Sequence, residues 1–158
     1  IPTDGLVSPH PGPELLLTQH GFNPDNPLGT WIKPGMRVLV KPNWVRHATE
    51  GWSVLEALTT HPSIVRSAVE MVARALRDDR GDYCGEICLA DAPLQSANFS
   101  ALMQQSGIGS LVTHWKATGL PISLADLRKT VAEVDDGTGV VAKSYQQLGD
   151  PRGHTVVD

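Results

Sequence analysis

Three short apolar runs, widely spaced along the chain, limit what it can fold into more than any other feature. They are Met36 to Val40 (MRVLV), Glu86 to Ala90 (EICLA) and Pro121 to Leu127 (PISLADL). Runs this short and aliphatic, bounded by turn residues, read as strands buried on both faces. Pro34-Gly35 makes a turn before the first, and Pro42, which cannot donate to a ladder, stops it. The second ends at Asp91-Ala92-Pro93. Helical periodicity fills the intervals. Ile64, Val65, Ala68, Val69, Val72, Ala73 and Leu76 repeat at helical spacing behind Pro62, which suits a first turn, and Arg66, Glu70, Arg74 and Arg77 fall on the other side. Asn98 caps a helix running through Gln105 and ended by Gly107, and Ser110 to Thr118 forms another. Strand, helix, strand, helix, strand predicts an α/β fold: a three-layer, mainly parallel sheet with flanking helices and right-handed crossovers. Val131 to Asp135 and Val140 to Tyr145, joined across Asp136-Gly137-Thr138-Gly139, add a C-terminal hairpin.

Two parts are expected. Residues 1–33 carry Pro2, Pro9, Pro11, Pro13, Pro24 and Pro27 among glycines and form a proline-rich N-terminal arm, with one helical turn over Glu14 to His20. Residues 34–158 form the α/β domain. Within it, residues 44–60 read as a long loop holding Trp44, His47 and Trp52, with a helical turn over Ser53 to Leu58. The chain begins at Ile1 and stops at Asp158 inside an apparent strand, Thr155 to Val157. The expectation is therefore the N-terminal half of a larger protein. Its exposed apolar surface would either self-associate as a homo-oligomer or pack against a missing C-terminal half.

Charge narrows the partners. A net charge of −4, with no run of Lys or Arg, disfavours a nucleic-acid partner, which needs a basic face. The longest apolar runs are too short to cross a bilayer, and no secretory signal opens the chain, so no membrane partner and a cytoplasmic location are expected. Cys84 and Cys88 read as reduced, small and partly buried thiols, too far apart along a strand for a disulfide.

In open α/β sheets ligands bind at the carboxyl ends of the strands. The first strand brings Lys41 and Asn43 there, the second Asp91, the third Asp126 and Arg128. His61 begins the long helix, where amide donors and the positive end of the dipole favour an anion. Lys41 with that helix start predicts a phosphate or carboxylate pocket. The structural alternative is that Lys41 and Asp91 pair across neighbouring strand ends and only hold the loops. His61, likewise, is either a helix cap, a ligand contact, or a general base or metal ligand. Trp44 and Trp52 would either stack on a planar ligand or anchor their loop. No phosphate-binding P-loop, dinucleotide fingerprint, nucleophile elbow or zinc-protease His pair is present. No metal site is predicted, and the cofactor is left open.

The phrases Pro34-Gly35-Met36-Arg37-Val38-Leu39-Val40-Lys41-Pro42-Asn43, Thr59-Thr60-His61-Pro62 ahead of a helix, and Leu89-Ala90-Asp91-Ala92-Pro93 follow one another in a recurring order. In that order they resemble the N-terminal half of the prokaryotic family catalogued as domain of unknown function 362, and Gly149-Asp150-Pro151 resembles that family's middle. The resemblance implies a longer protein whose later half, with its own lysine- and histidine-bearing motif, has no counterpart here, so a site shared between halves is incomplete. Some relatives carry a ferredoxin-like segment. Two cysteines fall short of the roughly four thiolates such a cluster takes, so no cluster is carried over.

These readings favour an enzyme, or its substrate-binding half, acting on a small anionic metabolite. Lys41 and the helix start would hold the anion, Asn43 would orient it, Trp44 and Arg128 would add ligand contacts, and Asp91 and His61 would serve catalysis. The alternative is a non-catalytic redox accessory or interaction protein related to the ferredoxin-linked relatives.

Overall fold

The computed structural model describes residues 13–48, 52–134 and 141–146. In chain order the elements are α1 (Pro13–Gln19), β1 (Arg37–Val40), α2 (Trp52–Leu58), α3 (Pro62–Ala75), β2 (Glu86–Asp91), α4 (Phe99–Gln105), α5 (Ile108–Ala117), β3 (Ile122–Asp126), β4 (Thr130–Val134) and β5 (Val141–Gln146). The three apolar runs form one parallel sheet in the order β1-β2-β3. α2 with α3 connects the first two strands, and α4 with α5 connects the second and third. The architecture is the α/β one expected, with flanking helices and an antiparallel β4–β5 hairpin in its own small sheet. The hairpin's turn over residues 136–139, residues 1–12 of the N-terminal arm and the apparent strand at 155–157 lie outside the described residues.

Strand register decides which side chains meet. Val38 stands opposite Ile87 and Val40 opposite Leu89, while Ile87 and Leu89 stand opposite Ile122 and Leu124. Alternation along a strand puts all six on one face. There they join a core containing Val65, Val69, Val72 and Leu76 from α3 and its end, Leu102 from α4, and Ile108, Val112 and Trp115 from α5. The other face carries Leu39, Cys88 and Ser123 in one row. Leu39 is 56% exposed and Met36 43%, so the first run is not buried on both faces as its composition predicts. Among the described residues it is an edge strand with one covered side; β2, between two neighbours, is the strand that fits that expectation better.

α3 begins and ends where the sequence places it, but Ile64 is half-exposed. Val65, Val69, Val72 and Leu76 define the buried stripe, and Ile64 lies about 100° round the helix from Val65. Asn98 caps α4 by accepting from the Ala101 amide at 2.9 Å. Gly107 has φ 73° and serves both as the stop of α4 and as the cap of α5, which therefore starts at Ile108, ahead of the expected Ser110. Both cysteines are free and half-buried; Cys84 lies in the loop before β2, so the two do not share a strand.

Gly85 fixes where β1 and β2 begin. Its φ is 122°, and a Cβ there would stand 2.3 Å from the Met36 carbonyl oxygen. That oxygen accepts from the Glu86 amide, while the Gly35 amide donates to Cys84 O. Gly85→Ala should therefore destabilise the fold by about 1–3 kcal/mol from backbone strain alone. Urea unfolding measures this, and a loss below about 0.5 kcal/mol, the level of an ordinary surface change, would contradict the packing described.

Candidate functional site

Parallel strands deliver their carboxyl ends to one edge, and the expected residues arrive there together. Lys41 follows β1 directly and Asp91 closes β2. Lys41 Nζ lies 2.7 Å from Asp91 Oδ1. The same oxygen accepts from the Ala92 amide at 2.8 Å, and Oδ2 accepts from the Trp44 amide at 2.6 Å. Asp91 is 3% exposed, yet the Lys41 side chain is 56% exposed. One buried carboxylate thus ties the exit of β1 to the exit of β2 and leaves the ammonium facing solvent. Both its oxygens are engaged, which suits orienting Lys41 and not the acid/base role expected from sequence.

Asn43 and His61 reach the same edge through a short backbone pairing. The Asn43 amide donates to Thr60 Oγ1 at 2.9 Å, and the Thr60 amide donates back to Asn43 O at 2.8 Å. The Val45 amide donates to Leu58 O, and Trp44 bridges Thr59. The loop leaving β1 is thereby zipped to the segment entering α3. Thr60 is the contributor that residue-type reasoning passed over, because a threonine before His-Pro reads as a cap and its long-range partner is invisible locally.

His61 is the cap of α3. Its Nδ1 accepts from the Ser63 amide at 3.2 Å and lies 2.7 Å from Ser63 Oγ. With Nδ1 an acceptor, the neutral ring carries its proton on Nε2. The remaining first-turn donors are spent too. Pro62 has none, and the Ile64 and Val65 amides both donate to His61 O. The expected grip of helix-start amides on an anion is therefore corrected: His61 occupies them, and only the dipole and its outward Nε2–H remain for a ligand.

Trp44 and Arg128 are both buried at this edge, where each is committed to the protein's own frame. Trp44 is 1% exposed, belongs to the core and meets Phe99 edge-on with ring centroids 6.1 Å apart. Its ring anchors the loop and presents no face to a ligand, while its indole Nε1 is buried without an acceptor among the described residues. Arg128 is 5% exposed. Its Nε and Nη2 donate to Asp126, and Nη1 donates to the carbonyls of Leu94, Gln95 and Ala97. The guanidinium stitches the loop after β2 to the end of β3. Asp126 is the register partner of Asp91, so two carboxylates close neighbouring strands, each with its own cation. His47, another residue not singled out, accepts from the Asn98 amide through Nδ1 at 3.1 Å. Trp52 begins α2. Among the described residues no group of three or more His, Cys, Asp or Glu stands together as a metal site.

Removing the Asp91 carboxylate strands two amides at a buried edge. Each unsatisfied donor costs about 1–3 kcal/mol, so Asp91→Ala should destabilise the fold by about 2–4 kcal/mol. Denaturant unfolding checks this, and a change within about 0.5 kcal/mol, typical of neutral surface substitutions, would contradict the tie.

No curated protein and no solved structure matches the chain. A family model does, over residues 38–147, a span that takes in β1 from Val38 onward, all of β2 and β3, and the Lys41–Asp91 edge. The chain belongs to the family described as a domain of unknown function (DUF362).

Proposed function

We propose that the carboxyl edge of the sheet binds a small anionic metabolite and that the protein is an enzyme, or the substrate-binding part of one, built around that edge. The observation that carries the reading is the half-exposed Lys41 ammonium, held from one side by buried Asp91. An ammonium has three donors, and Asp91 takes one direction only. Asn43 and His61 are drawn to the same edge through Thr60, and His61 caps the helix that starts there. The positive end of α3 adds to the attraction. Donors at an edge whose described carboxylates, Asp91 and Asp126, are both paired favour an acceptor-rich ligand, such as a phosphate or carboxylate, over an amine. Arg128 and Trp44 support the loops around it, and Asp91 orients Lys41. The same reading places the protein in the cytoplasm; no helix among the described residues is long and apolar enough to cross a membrane.

The exposed Leu39 of β1, and Met36 just ahead of that strand, favour a second reading, contact with further protein along that edge. The two readings separate experimentally. Inorganic phosphate titrated by NMR should shift the Lys41 and His61 side-chain signals saturably. Lys41→Gln should weaken binding about tenfold, the worth of one charged hydrogen bond. No saturable shift, or equal affinity in the variant, would defeat the anion reading, while Leu39→Lys should leave phosphate binding intact.

A further inference from the structure

A second cleft lies at the other end of the helical layer, between α3 and α5, with a volume of about 350 Å³. Small-molecule pockets begin at roughly 300 Å³, so one ring system fits. Its floor is apolar and buried: Ala73 of α3, Trp115 of α5 and Leu120 are 7%, 6% and 4% exposed. The small Ala73 side chain leaves the space that its neighbours enclose. The rim is basic. Arg74 and Arg77 rise from the end of α3 and His114 from α5.

Basic residues near helix C-termini first serve the negative end of the dipole, and Arg74 and His114 do that here. What goes beyond this is their meeting around one apolar floor. Among the described lining residues the one acidic group, Glu70, is already paired, 2.7 Å from Arg66 Nε. Arg77 is held in place: its guanidinium carbon lies 4.1 Å from the Tyr83 ring centroid, and Nη2 donates to Tyr83 Oη at 2.7 Å. A guanidinium stacked on Tyr83, with Nη1 also donating to Gly81 O, sets fixed positive charge above an apolar floor, which suits a flat ligand with a negative substituent.

We propose that this cleft is a binding site for a planar aromatic anion, such as an aromatic carboxylate, separate from the Lys41 edge. The separation is geometric. From His61 to Arg74 the helix rises about 20 Å, so no small ligand touches both.

Anilinonaphthalene sulfonate, a planar aromatic anion whose fluorescence reports binding, tests this directly on the full chain. It should bind saturably at one site per chain and be displaced by benzoate. Inorganic phosphate at equal ionic strength should not displace it, and the uncharged analogue N-phenylnaphthylamine should bind far more weakly. The double variant Arg74→Gln/His114→Gln should lower affinity about tenfold or more, as expected for losing a charged hydrogen bond. Ala73→Leu, filling the floor, should do the same. If Ala73→Leu lowers thermal stability, the rim variant decides alone, its fold checked by circular dichroism. Unsaturable binding, equal affinity of the charged and neutral dyes, displacement by phosphate, or unchanged affinity in the rim variant would overturn the proposal.

Discussion

The Asp91 carboxylate is the constraint on which the carboxyl edge depends. It is buried, and it accepts from two backbone amides and one ammonium on the segments leaving two neighbouring strands. A buried carboxylate is costly unless every lone pair finds a donor. Here the donors come from the segments that must be positioned: Lys41 and Trp44 leaving β1, and Ala92 leaving β2. The Asp91 carbonyl also receives the Leu127 amide from the end of β3. A single residue therefore connects the exits of all three parallel strands. Trp44, fixed by its backbone bond, inserts its ring into the core and pulls the next residues against the entry of α3. His61 is positioned as a consequence, and Lys41 is the one charged group of this network left facing outward.

Most of the architecture was legible because it rests on periodicity. Apolar runs separated by a helical stripe specify parallel strands with crossovers, and Asn98, Gly107 and Pro62 mark helix limits through local chemistry. What periodicity could not reveal was position within the sheet. Met36 to Val40 reads as a fully buried strand, but strand order makes it an edge and leaves Leu39 exposed. Order is a non-local property that four residues do not encode. Ile64 failed for a related reason, since an apolar residue on the flank of a helical stripe fits the pattern whether or not anything covers it.

The candidate site was legible in membership and less so in role. Lys41, Asn43, His61 and Asp91 all come to one edge because parallel strands and a helix start must meet there. Roles depend on hydrogen-bond directions, which sequence does not carry. His61 takes the first-turn amides for itself, Asp91 spends both oxygens on the frame, and Arg128 spends its guanidinium on carbonyls and Asp126. Trp44 was open between stacking and anchoring, and its burial decides for anchoring. α3 then links this edge to the cleft at its far end, one helix carrying a cap at one terminus and basic residues at the other.

Amide hydrogen exchange tests the central tie most directly. If Asp91 holds the strand exits together, the Trp44 and Ala92 amides exchange only through global unfolding, as core amides do. In Asp91→Asn, which keeps one acceptor oxygen and loses the charge, at least one of the two should exchange much faster while core amides of β2 keep their protection relative to global stability. Trp44 and Ala92 amides exchanging at open-loop rates in the unaltered protein would contradict the account, because no tie would then be holding the edge that presents Lys41.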